Sequence, residues 1–260
     1  MTTTARTEKS LDNRVALVTG GARRVGRAIA LRLARAGMHV AITYQTSGDA
    51  AASLVRSIRR QGRKALAIQV DLAASDAADQ VHADFTKRFG RLDALVNNAS
   101  TFKPGALGGL QTGQFDLMMA VNARAPVMLM KRFSPMLAEG FRSDKPHTAG
   151  RVVNFIDIHV LGEPLGGYLA YNCSKAALHE ATKTAAIELA PKITVNAIAP
   201  GVVAWADSYT AAQRREYLKR VPLGREGTPL EAAEAVLYFV RDATYCTGQV
   251  LRLDGGRLLT

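Results

Sequence analysis

Short runs rich in Val, Ile, Leu and Ala recur along this chain, and each ends at a small or turn-forming residue before a helical pattern begins. The runs fall at residues 14–18, 39–44, 64–70, 93–96, 151–156, 193–198 and 249–253. Between the first two lies a helix with apolar positions Val25, Ala28, Ile29 and Leu33, which stops at Gly37. Further helices are expected over about 50–60, 77–88, 114–140, from the Tyr171 region to near 189, then 210–220 and 229–240. Strands that alternate with helices pair in parallel through right-handed crossovers, with helices on both faces. The expected fold is therefore α/β: one Rossmann-like doubly wound domain over residues 14–260, around a parallel sheet of about seven strands. Residues 1–13 read as a mobile polar tail. The long helix is expected to bend near Pro126, and 142–150 to form an exposed loop.

Ligands of such sheets gather at the carboxyl ends of the strands. Gly20, Asp71, Asn98, Asp157 and Pro200 each fall just after a strand. At 260 residues the chain can bury a full core. It has no run of membrane-spanning length and no leader-like start, so a cytoplasmic location is expected. Its two cysteines, Cys173 and Cys246, form neither a metal spacing nor a disulfide framework. The formal charge of +12 suits a polyanionic small molecule. The basic residues are spread over most helices, with short groups only at Arg23-Arg24, Arg59-Arg60 and Arg214-Arg215. Nucleic acid recognition asks for a clustered basic face with a reading helix or aromatic platform, and none is seen.

The turn after the first strand reads Thr19-Gly20-Gly21-Ala22-Arg23-Arg24-Val25-Gly26. Backbone amides and a helix N-terminus in this setting hold a pyrophosphate. After the second strand come Tyr44, Gln45, Thr46 and Ser47, with no carboxylate before Asp49. An NAD site usually places an acid there for the ribose hydroxyls. Its absence, with Arg23 and Arg24 in the first turn, favours the 2′-phosphate of NADP(H). Asp71 either accepts from the adenine amine or caps the following turn.

Tyr171 and Lys175 lie four apart at the start of an Ala-rich helix, so a phenol and an ammonium share one face. A phenol titrates near pH 10, and acid–base work near neutrality asks for a shift of about 3 units, roughly 4 kcal/mol. A cation about 5 Å away supplies on the order of 3 kcal/mol at an effective dielectric near 20. Lys175 is thus expected to lower the Tyr171 pKa.

With these pieces in hand, the chain resembles a short-chain dehydrogenase/reductase over residues 13–257. The matching motifs are Thr19-Gly20 through Gly26, Asp71, Asn97-Asn98-Ala99, Asn122, Tyr171 with Lys175, Pro200-Gly201, Thr247-Gly248-Gln249 and Asp254-Gly255-Gly256. Most members carry Gly where this chain has Arg24, and Ser where it has Asp157. Those substitutions, with Asn98-Ala99-Ser100 before Phe102 and the ending Leu253-Asp254-Gly255-Gly256-Arg257, resemble the pteridine reductase branch, which includes dihydromonapterin reductases. The resemblance implies a homotetramer that uses NADPH to reduce dihydropterins, and sometimes oxidised pterins or dihydrofolate. It assigns catalysis to Asp157, Tyr171, Lys175 and Asn122, the last fixing a water. Cofactor contacts fall to Gly20, Arg23, Arg24, Val25, Gly26, Tyr44, Thr46, Ser47, Asp71, Leu72, Asn98, Ala99, Ser100, Tyr171, Lys175, Pro200, Gly201 and Val203. The loop after Gly201 reads Val202-Val203-Ala204-Trp205 and lacks the Thr that many members place there.

Substrate contacts fall to Arg24, Ser100, Phe102, Asp157, Tyr168 and Tyr171. A flat heteroaromatic ring would stack on Phe102, and Arg24 would offer paired donors to pyrophosphate and pterin edge. Asp157 would bind ring donors or orient Tyr171, or else serve the nearby backbone. Phe102 and Tyr168 have packing roles as alternatives. Asp157 and Tyr171 lie fourteen apart, with one residue more in the loop than in the usual arrangement, so the loop between them has to bulge. The rival readings are a ketone or 3-oxoacyl thioester reductase of the same fold and a non-catalytic NADP-binding regulator. No metal site is expected.

Overall fold

The computed structural model describes residues 10–205 and 209–260. Its centre is a seven-stranded sheet of order β3-β2-β1-β4-β5-β6-β7. The strands are β1 (Val15–Val18), β2 (His39–Tyr44), β3 (Ala65–Gln69), β4 (Ala94–Asn97), β5 (Gly150–Phe155), β6 (Ile193–Pro200) and β7 (Val250–Leu253). Every pairing is parallel, from Val15 opposite His39 at one register to Pro200 opposite Leu253 at another. The helices are α1 (Arg24–Arg35), α2 (Gly48–Arg60), α3 (Ala77–Thr86), α4 (Thr112–Met119), α5 (Ala125–Glu139), α6 (Leu169–Glu188), α7 (Ala211–Lys219) and α8 (Pro229–Leu237).

Side chains alternate across a strand, and β1 shows what this does for the core. Ala16 and Val18 point into one apolar layer with Ile29, Leu33, Leu54 and Val236. Val15 and Leu17 point into the other with Phe85, Leu129, Phe133 and Leu137. The sheet is thus buried on both faces, which explains why its strands read as continuous apolar runs. Among the described residues no helix is long and apolar enough to cross a membrane.

Two sequence expectations shift. The domain begins before Arg14: Leu11 is 3% exposed, and the Asn13 amide donates to the Gly37 carbonyl at 3.1 Å. Residues 1–9 of the expected tail lie outside the described residues. The long helix near Pro126 is two helices joined by a π-helical turn, Ala120–Arg124. Pro126 has no amide hydrogen to give the Asn122 carbonyl four residues back, so regular α-geometry loses a bond there.

The first turn is held by contacts that leave no room. Gly20 has φ of +61°, a conformation glycine adopts freely. A methyl group on Gly26 would overlap the Gly20 carbonyl oxygen, and would come within 2.7 Å of Asn98 Nδ2 and 2.9 Å of Gly21 Cα. Gly26→Ala is therefore expected to cost about 1–3 kcal/mol, read as a lowered midpoint in urea unfolding.

Candidate active site

A cleft of about 810 Å³ opens at the carboxyl ends of the strands. The half at the exits of β1, β2 and β4 is built by hydroxyls that knot strand ends together. Thr19 Oγ1 accepts from the Asn98 and Ala99 amides, both at 3.0 Å. Asn98 Nδ2 returns a bond to the Thr19 carbonyl at 2.9 Å. Thr43 Oγ1 accepts from the Gly20 amide at 3.1 Å. Sequence reading missed Thr19 and Thr43 as site builders, since a hydroxyl at a strand end carries no periodic signal.

Gly20, Arg23, Arg24, Val25, Gly26, Tyr44, Asp71, Leu72, Asn98, Ala99 and Ser100 all line the cleft. Thr46 and Ser47 do not; they sit at the entrance to α2, with Ser47 at its N-cap. Asp71 does both things considered for it, lining the cleft while Oδ1 caps the turn through the Ala73 amide at 2.9 Å. Arg24 occupies φ of +49°, a region where an L-residue is strained and glycine is not. Its Nη2 donates to the Ala204 and Trp205 carbonyls at 2.7 and 2.6 Å. That corrects the expectation that both its donors face pyrophosphate and pterin: the β6–α7 loop holds Nη2.

In the other half, Tyr171 and Lys175 leave the first turns of α6 and Asp157 follows β5. The Tyr171 hydroxyl donates to Asp157 Oδ2 at 2.7 Å, so the longer loop does bring the two together. Asp157 Oδ1 accepts from the His159 amide at 2.9 Å, which fixes the carboxylate's orientation. The lysine departs from expectation. Lys175 Nζ donates to the Phe155 carbonyl at 2.7 Å and stands 5.9 Å from the Tyr171 ring centroid. Burial, and then the Asp157 charge and hydrogen bond, push the Tyr171 phenol well above its ordinary value. The expected lowering by Lys175 is therefore not found in this arrangement: burial is the largest influence on the phenol, and the bonded carboxylate adds to it. Burial also brings Lys175 down to about 8, with Asp157 opposing the shift.

Asn122 is 0% exposed and does not line the cleft. Its Oδ1 accepts from the Thr101 amide at 2.8 Å, and its Nδ2 donates to the Thr101 carbonyl at 2.9 Å and to Ser174 Oγ at 3.0 Å. Ser174 Oγ then donates to the Tyr171 carbonyl at 2.7 Å. The side chain thus ties the segment after β4 to α6. Phe102 lines the cleft, but Tyr168 stacks on one face of it with centroids 4.5 Å apart. Tyr171 meets the same ring edge-on at 4.7 Å. Tyr168 backs Phe102 and is not part of the lining.

Pro200, Gly201 and Val203 line the cleft beneath an aromatic wall that sequence reading missed. Trp205, the chain's single tryptophan, stands 5.3 Å from Tyr209 and 5.5 Å from Tyr217, centroid to centroid. Tyr217 accepts from the Val202 amide at 3.3 Å, which locks the loop against α7. One Trp and two Tyr within thirteen residues was the available signal. Among the described residues no group of His, Cys, Asp or Glu is placed to hold a metal.

The Lys175 shift carries a stability consequence. A folded value near 8 against 10.5 unfolded means the folded chain releases its proton first. Stability from this group is lowest below about pH 8 and rises towards 10.5, where the unfolded chain binds more protons. Lys175→Met removes that rise. Its stability relative to the wild-type chain is expected to be greatest at pH 7 and to decline towards pH 10, as read by thermal melts.

Comparison with known proteins agrees with this architecture. Residues 20–257 match a family model described as enoyl-(acyl carrier protein) reductase. The curated 3-oxoacyl-(acyl-carrier-protein) reductase of Synechocystis sp. is 34% identical over 254 residues, covering 96% of this chain and 99% of the relative. The solved FolM alternative dihydrofolate reductase 1 from Brucella canis, complexed with NADP, is 35% identical with a TM-score of 0.87, covering 97% of this chain and 96% of that one. A blue fluorescent protein from a metagenomic library, solved with NADPH, is 31% identical with a TM-score of 0.87, covering 95% and 99%. With a parallel seven-stranded sheet and a glycine turn at its first strand end, the chain belongs to the short-chain dehydrogenase/reductase family.

Proposed function

We propose that this chain is an NADPH-dependent reductase of dihydropterins. The observation that carries the reading is the hydrogen bond from Tyr171 to the Asp157 carboxylate in the wall of the cleft. A carboxylate at that place repels an alkoxide developing on a ketone oxygen, whereas it accepts from the N–H groups of a pterin ring. The residues present fit the cofactor: the crowded Gly26 contact leaves only hydrogen facing the turn, and no acid follows β2 before Asp49. Arg23 is exposed at the same rim, where a 2′-phosphate finds a cation and meets no repulsion. The NADP and NADPH complexes of the related structures support the same choice.

NADPH, when bound, supplies the hydride. Tyr171 holds the proton destined for the ring nitrogen; as a phenol it is protonated at neutral pH even at its ordinary value, and burial and Asp157 raise it further, which makes it a weaker acid until the proton is drawn off. Asp157 orients that hydroxyl through Oδ2 and is itself oriented by the His159 amide. Lys175 anchors α6 to the end of β5 and carries positive charge near the phenol. Asn122 and Ser174 hold the Tyr171 backbone in register with Thr101. The open face of Phe102 offers a flat apolar surface, since Tyr168 covers the other. A homotetramer, as the family resemblance implies, is checked by light scattering.

A second reading, reduction of 3-oxoacyl thioesters, is favoured by the names of curated relatives, including the Staphylococcus epidermidis enzyme at 33% identity. NADPH oxidation with dihydrobiopterin and with acetoacetyl-CoA separates the two: the first substrate is expected to turn over and the second to lag far behind. The opposite order would replace the pterin reading, and no turnover of either would point to a regulator. Tyr171→Phe is expected to reduce kcat for dihydropterin by about 10²–10⁴-fold. Asp157→Ser is expected to lower dihydropterin turnover and raise that of the ketone.

A further inference from the structure

Arg257 follows β7 and lines the cleft together with Tyr217 and His159, on the side of the Asp157 loop. Its side chain is 6% exposed, so its guanidinium is withdrawn from water. Tyr217 lies under it, 5.5 Å from ring centroid to Cζ. Among the described residues the guanidinium's one hydrogen bond runs from Nη1 to Glu163 Oε2 at 2.9 Å, and Nε is buried without a partner. Glu163 is already engaged: Arg220 takes Oε1 at 2.9 Å and Oε2 at 2.8 Å, and also donates to a Thr260 oxygen at 3.2 Å. One carboxylate therefore serves two guanidiniums, and Arg257 holds the smaller share.

A buried guanidinium N–H left unpaired is costly, and charge-assisted bonds to an oxyanion are among the strongest available. We infer that Arg257 is an oxyanion-binding residue at the substrate end of the cleft, taking a carboxylate or phosphate on the substrate's side chain. On the pterin reductase reading, on which the identity of the ring rests, the substrate class is a dihydropterin with an anionic side chain. Asp157 then holds ring donors on one wall while Arg257 holds the anion on another.

The test uses the chain saturated with NADP⁺, titrated calorimetrically with N-acetylglutamate and, separately, with inorganic phosphate. Binding of at least one probe is expected, and the tighter one names the substrate's group. Arg257→Met is expected to weaken it by about tenfold or more. Glu163→Gln, which frees both guanidiniums, is expected to tighten it. Opposite signs from two substitutions in one cluster are not produced by general loosening, and Glu163→Gln stands alone if Arg257→Met fails to fold. No binding of either probe, or affinities unchanged by the substitutions, overturns the inference. In turnover, Arg257→Met is expected to raise KM for dihydrofolate by a larger factor than KM for neutral dihydrobiopterin; equal changes overturn it. Probe binding that depends on Arg257 without any dihydropterin turnover would keep the anion site and remove the pterin reading.

Discussion

The hydroxyl of Thr19 is where the molecule is tied together. It accepts two successive amides, those of Asn98 and Ala99, while the Asn98 side chain reaches back to the Thr19 carbonyl. Parallel strands meet side by side without sharing a turn, so nothing in the sheet ladder itself fixes how their exits are arranged. The Thr19 knot does this for β1 and β4, and Thr43 adds β2 through Gly20. With three exits held, α1 starts against the turn so closely that only glycine fits at position 26. The floor of the cleft follows from that arrangement.

The half of the cleft around Tyr171 rests on a different balance. Tyr171 and Lys175 are buried and Asp157 is half-buried beside them, so their charges weigh more than they would at the surface. The carboxylate is bonded directly to the phenol, and the ammonium is bonded to a backbone carbonyl. Burial acts first on the phenol, and the bonded carboxylate adds to it. The result is a phenol retained as a donor and a lysine whose own charge is the more easily lost. A Tyr-x-x-x-Lys spacing alone does not distinguish this state from one in which the lysine governs the tyrosine.

Much of the fold could be read in the chain because its signals are periodic or steric. Apolar runs located all seven strands, and glycines marked the turn where backbone had to approach backbone. Placement of Asp71, Asn98, Asp157 and Pro200 at strand exits followed from the same pattern. What escaped was the aim of individual side chains. Arg24 turns part of its guanidinium to the loop after β6, Asn122 serves Thr101 and Ser174, and Tyr168 lies behind Phe102. Each depends on the path of a connection whose residues obey no repeat. The wall of Trp205, Tyr209 and Tyr217 escaped for that reason too. The Pro126 irregularity was half legible: the missing amide was visible, but not that the break would take the form of a π-turn whose Asn122 bonds Ser174 of α6.

Arg24 reaches the β6–α7 loop through main-chain oxygens, those of Ala204 and Trp205. Any amino acid supplies the same carbonyl, so the side chains at 204 and 205 are free to vary without disturbing the tether. The information for this contact is carried on one side only, by the guanidinium and the unusual backbone angle that aims it. Drift in the loop's sequence can therefore reshape the cleft's upper wall while the wall stays moored to the glycine turn after β1.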